Sequence, residues 1–320
     1  MKQSIEGREL ITLDCFGTVV RGTYHRSPDA NTDASEQGRV GVLFLNSLSL
    51  PRAATGDSAV YWAESIAESG YPSFRVDLPG LGDSDGTLPL ELLSFINAGG
   101  FGGPTSDNVR ELVERFNLSG VILAGHCAGI VSAVFAAENC PQCRGLVLMD
   151  PYFHLPQAVR PKLRQALSDW ALHSTMGRIA SNVYDQLREL YSRLRGSRPP
   201  SNANFALLRC WKKVASTGLP ILLLKAPARK ASGTKPRAGE FDYLNYVLKL
   251  AGRRSQVNVK FVDGTDHSFA NKVGRSAIRQ HTENWLKAHF PNAGQIDPLA
   301  SCFRHETSTN EISVPTTSHT

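Results

Sequence analysis

Gly125-His126-Cys127-Ala128-Gly129 is the segment whose residue types and spacing point most directly to chemistry. An apolar run at 121–124 precedes it, and a helical pattern at about 128–138 follows. The spacing is that of a nucleophile elbow, G-x-S-x-G, with cysteine in the serine's place. On such a sharp strand-to-helix turn the nucleophile takes a strained backbone conformation. The positions two before and two after it must then be nearly free of side chain. The thiol would stand at a helix N-terminus, where the helix dipole favours thiolate. A buried structural cysteine in a tight turn is the competing reading, and the flanking strand and helix patterns weigh against it.

His267 lies in the stretch FVDGTDHSF at 261–269, after the last strand-like run and before the last helical one. A general base delivered there follows the nucleophile in chain order, as this kind of site requires. The oxyanion formed by attack on an acyl group would be held by backbone N–H groups. Ala128 supplies one, and Ser47, in the loop Asn46-Ser47-Leu48, supplies the other by its position. His126 is expected to point away from the nucleophile and pack. His154 and His173 could line a substrate pocket, while His281 and His289 fall in the last helix. Asp77, Asp83 and Ser84 read as strand-end and turn residues.

These residues need a frame. Residues 8–24 read as two short β-runs around Gly17, a hairpin. Continuous apolar runs at 40–46, 120–125, 145–149 and 219–225 have the pattern of strands buried on both faces, and 73–78 and 257–262 add two more. Helical patterns fall at about 58–69, at 106–117 with Ser106 or Asp107 as cap, at 128–138 and at 272–289. The glycine-rich 96–105 reads as a flexible or tightly turned connection. Strands alternating with helices imply an α/β protein, a mostly parallel central sheet with helices on both faces. The segment 152–215 is helical in pattern and interrupts the alternation, so a helical cap or lid is expected there. The core then divides into 8–151 and 216–290, and the Ser-, Thr- and Pro-rich 291–320 is expected to be a disordered tail.

Composition narrows the function classes. The 320 residues are 41% hydrophobic and 20% charged, an ordinary globular balance with ample core. No apolar run approaches the ~20 residues of a membrane span. No secretory h-region opens the chain, so cytoplasmic residence is the expectation. Cys140 and Cys143 form a CxxC with no second ligand pair, so neither a metal nor another cofactor is expected. The net charge is +6, and much of the excess falls in 157–213. Such a face favours an acidic partner, and no nucleic-acid motif accompanies it.

Several stretches together resemble the α/β-hydrolase superfamily over about 8–290: VLFLNS, AESIAESGYPSFRVDLPGLGDSDG, VILAGHCAG, GLVLMDPYF, VDGTDHSF and the closing NWLKAHF. The nearest resemblance is to the serine aminopeptidase and lysophospholipase-like branch, with its exosortase-associated hydrolases, some of which carry a GxCSG elbow. The resemblance implies an α/β-hydrolase fold and acyl transfer or hydrolysis on esters, thioesters or amides. It also implies a triad acid just after the strand at 219–225, often as Gly-x-Asp shortly before a Glu-Phe pair. Here that stretch reads LLLKAPARKASGTKPRAGEFDY, and the expected position falls near Lys235. Asp150 is one substitute, since some relatives take the acid from the end of the preceding strand. Glu240 and Asp242 are others. A Cys–His pair tolerates a weak acid better than a Ser–His pair does.

The leading expectation is therefore an acyl hydrolase or acyltransferase. A small-molecule acyl ester or thioester would be the substrate, and an acidic acyl-carrier protein would suit the basic charge. A non-catalytic ligand- or partner-binding protein on the same fold is the alternative, drawing support from the missing acid. A dehalogenase would need a carboxylate at position 127.

Overall fold

The structure, a computed structural model, describes residues 7–28, 36–155, 199–226 and 241–291. Among these residues eight strands form one sheet: β1 (Arg8–Cys15), β2 (Thr18–His25), β3 (Val40–Phe44), β4 (Ser73–Val76), β5 (Gly120–His126), β6 (Cys143–Met149), β7 (Pro220–Lys225) and β8 (Gln256–Phe261). Their order is β1-β2-β4-β3-β5-β6-β7-β8. The hairpin β1–β2 runs antiparallel to its neighbour β4, and every pair from β4 to β8 is parallel.

Seven α-helices are found among the described residues: α1 (Ser58–Glu68), α2 (Leu92–Asn97), α3 (Gly102–Phe116), α4 (Gly129–Ala137), α5 (Phe205–Ser216), α6 (Tyr243–Ala251) and α7 (Lys272–His289). They cover the sheet in two layers. Leu123, Leu146 and Leu223 face one core with α3, α4, α5 and α6. Ile122, Val147 and Leu222 face the other, beneath Trp62 of α1 and Trp285 of α7. Successive residues of a strand point to opposite faces, so a sheet with two cores demands the unbroken apolar runs seen in β5, β6 and β7.

Two local expectations need correction. The 96–105 stretch is no loose connection, because α2 runs to Asn97 and α3 begins at Gly102, four residues before the expected start. A Cβ on Gly102 would lie 2.9 Å from the Cβ of Phe135, so glycine lets α3 lie close against α4. Pro104 falls in the first turn, where no intrahelical N–H bond is lost. Helix α6, unforeseen, is capped by Asp242, whose side chain accepts from the N–H of Asn245.

Most of the expected cap, 156–198, lies outside the described residues, as do Glu240, Lys235, His173 and the tail from 292. The end of that segment forms α5, which buries Leu207, Trp211 and Val214 in the first core. Among the described residues, no helix is long and apolar enough to cross a membrane. Nor does any group of three or more His, Cys, Asp or Glu side chains there stand ready to hold a metal ion.

Candidate active site

Cys127 sits directly after β5 with φ +51°, a left-handed conformation that is strained for a residue with a side chain. Its flanking glycines are required by contact. A Cβ on Gly125 would meet the carbonyl oxygen of Gly129 at 2.6 Å, and a Cβ on Gly129 would meet that of Asn46 at 2.7 Å. The turn therefore presses α4 against both β5 and the loop after β3, and only side-chain-free positions allow it. The Cys127 N–H reaches the Met149 carbonyl at 3.3 Å, tying the elbow to the end of β6.

Three groups converge on the sulfur: the His267 imidazole, the backbone N–H of Ala128 and the Ser47 hydroxyl. Burial by itself would raise the thiol pKa, but these three hydrogen bonds and the His267 charge outweigh it and hold the thiol below its ordinary value. His267 shifts the other way, up to about 10, through its hydrogen bonds to Asp150 and to Cys127. The two shifts run in opposite directions, the thiol down and the imidazole up, because each group favours the charged form of the other.

Of the acids considered that fall among the described residues, Asp150 and Asp242, Asp150 is the one brought to His267. It follows β6 directly, in a left-handed conformation with φ +56°, and its Oδ2 accepts from His267 Nδ1. Its other oxygen, Oδ1, accepts from the ammonium of Lys225, the last residue of β7. Burial would raise the carboxyl pKa, yet the bonds from His267 and Lys225 hold it below its ordinary value. Asp242 is committed to capping α6.

The loop carrying Ser47 is anchored from behind. Asn46 donates from Nδ2 to Asp77 Oδ1 at 2.9 Å and accepts at Oδ1 from the Leu78 N–H at 2.9 Å. Arg52 grips the same fully buried carboxylate through its backbone N–H at 2.6 Å and through Nη1 at 2.5 Å. The Asp83 N–H donates to Asp77 Oδ2, and the Ser84 hydroxyl donates to the Asp77 carbonyl. Asp77, Asp83 and Ser84 thus hold backbone together.

Sequence reasoning undervalued two residues. His126 is buried, but it does more than pack: its Nε2–H donates to the His267 carbonyl oxygen at 2.7 Å. Burial lowers its pKa, so it stays neutral and supplies that donor. Lys225 ends an apolar strand, PILLLK, and that lone polar terminus was its only sequence signal. Cys140 and Cys143 are buried free thiols at the start of β6, joined by a backbone turn in which the Cys143 N–H donates to the Cys140 carbonyl.

Residues 42–291 match the alpha/beta hydrolase family. The chain belongs to that family. No curated protein is a sequence match to it. Among solved structures it is similar to DcsB in complex with its substrate analogue, at 14% identity and TM-score 0.57, over 89% of this chain and 100% of that one. It is also similar to the Pyrococcus furiosus esterase Pf2001, at 11% identity and TM-score 0.56, over 88% and 91%. A third likeness is to the thioesterase domain from the curacin biosynthetic pathway, at 16% identity and TM-score 0.51, over 86% and 99%. At these identities the likeness concerns the fold.

Proposed function

We propose that this α/β hydrolase is an acyl hydrolase or acyltransferase that works through an acyl-Cys127 intermediate. The observation that carries the reading is the unbroken contact chain from Cys127 through His267 to Asp150. The thiolate attacks the carbonyl carbon of an ester or thioester, and the backbone N–H groups of Ala128 and Ser47 receive the oxyanion. As the tetrahedral adduct collapses, the carbon–oxygen or carbon–sulfur bond to the leaving group breaks. His267 gives that group its proton, leaving a thioester on Cys127. Water, or an acceptor alcohol or amine, then passes a proton to His267 and attacks this thioester. The product departs, and Cys127 and His267 return to their ionised pair. Asp150 orients the imidazole throughout.

The binding-protein alternative drew on the missing acid, and a carboxylate on His267 removes that motive. The esterase and thioesterase among the structural neighbours accord with acyl chemistry. The basic charge of 157–213, read from the sequence, suits docking of an acidic acyl carrier, and raising the salt should weaken that docking. The test is intact-mass trapping of the protein and of Cys127→Ala against a panel of acyl thioesters and esters. The expected result is an acyl adduct on the native protein that Cys127→Ala lacks. No adduct from any activated donor, or adducts that persist in Cys127→Ala, would sink the reading.

A further inference from the structure

We propose that Lys225 is a positioning residue of this site: by gripping Oδ1 of Asp150 it turns Oδ2 onto His267 and so sustains the Cys127 thiolate. The inference rests on Cys127 being the nucleophile and adds a fourth member to the set.

The sheet register makes the arrangement. Met149 pairs with Leu224 across β6 and β7, so Asp150 and Lys225 are the next residues on adjacent strands. The Asp150 N–H donates to the Leu224 carbonyl at 2.7 Å, and the Lys225 carbonyl accepts from Val262 at 2.9 Å, so both backbones are pinned. The Asp150 side chain is only 11% exposed, while that of Lys225 is 32% exposed. A carboxylate so little hydrated needs its lone pairs engaged, and one imidazole engages only one oxygen. Lys225 satisfies the other and fixes the carboxylate plane.

The charges run in alternation: ammonium, carboxylate, imidazolium, thiolate. The titratable groups that act on Asp150 are His267 from the loop after β8, Lys225 from the end of β7 and His126 from the end of β5; Cys127 acts on His267, and Asp266 on His126. Removing the Lys225 charge makes every anionic form nearby harder to reach, and Asp150, freed at Oδ1, can rotate off the imidazole. A lysine that merely filled space would leave the titration of Cys127 where it is.

The experiment reads the thiolate without needing a substrate. The full chain is treated with iodoacetamide from pH 4 to 9. The thiolate displaces iodide, and peptide mapping follows the carbamidomethyl group on Cys127. In the native protein the rate should rise with a midpoint well below that of an ordinary thiol. In Lys225→Met and Lys225→Gln the midpoint should move up by about one pH unit, and Lys225→Arg should return it towards the native value. Circular dichroism melts confirm that the variants are folded, and two neutral replacements guard against one misfolding. A low native midpoint left in place by both neutral variants overturns the role of Lys225 alone. An ordinary midpoint in the native protein overturns the nucleophile reading and this proposal with it.

Discussion

The elbow at Cys127 and the carboxylate at Asp150 stand at the ends of neighbouring strands, yet the chain encodes them in opposite ways. The elbow is local. Five consecutive residues set its turn, and each glycine answers to a contact within the turn or just across it. The acid is remote from its partner, 117 residues before His267, and no local spacing ties the two together. A local device can be damaged through backbone shape, whereas a remote one is damaged through charge and hydrogen bonding. The two regions should therefore fail differently when altered.

His267 joins the two, so its loss should have the largest effect. His267→Ala should lower kcat/KM on an activated thioester by about a thousandfold, within the range for a positioned acid–base group. A loss below tenfold, measured by stopped assay, would mean the elbow works without it. Asp150→Asn should cost roughly a hundredfold, near the low end of that range, because the thiolate–imidazolium pair keeps part of its strength without the carboxylate. Should Asp150→Asn prove as damaging as His267→Ala, the acid would be integral to the pair.

The elbow should fail through stability. Gly129→Ala places a Cβ 2.7 Å from the Asn46 carbonyl. It should destabilise the fold by about 1–3 kcal/mol in urea unfolding, as overpacking does. It should also slow acylation by shifting the Ser47 loop. An unchanged urea midpoint would mean that α4 can move away freely.

The smallest effect concerns acid stability. The folded-state pKa of Asp150 lies below its ordinary value of 3.8. The stabilisation this represents is present above 3.8 and is lost as pH falls through the folded value. Asp150→Asn should therefore remove part of the loss of stability below about pH 4, seen as a shallower fall in melting temperature. Parallel curves for the native and Asn proteins would mean that Asp150 is not held low.

Much of the frame was legible in the chain. Unbroken apolar runs announced the central strands to within two residues or so, because strands covered on both faces have no polar alternation to blur them. The last helix matched its expected bounds, 272–289. The start of α3 was not legible, because glycine and proline ordinarily argue against a helix, and only the approach of Phe135 explains Gly102. Helix α6 carries its cap signal in Asp242, a residue that the sequence offers equally as a catalytic acid.

The sequence by itself determined the sharp turn at Cys127, the chain order of Cys127 and His267, and the two-sided sheet that carries them. These depend on local spacing and on hydrophobic pattern, which a chain displays directly. Only the tertiary structure decided that Asp150 faces His267, that Lys225 grips the same carboxylate, and that His126 bonds the backbone of the His267 loop. Those contacts arise from strand register and from loops meeting across the sheet's end. Spacing along the chain carries no trace of such meetings.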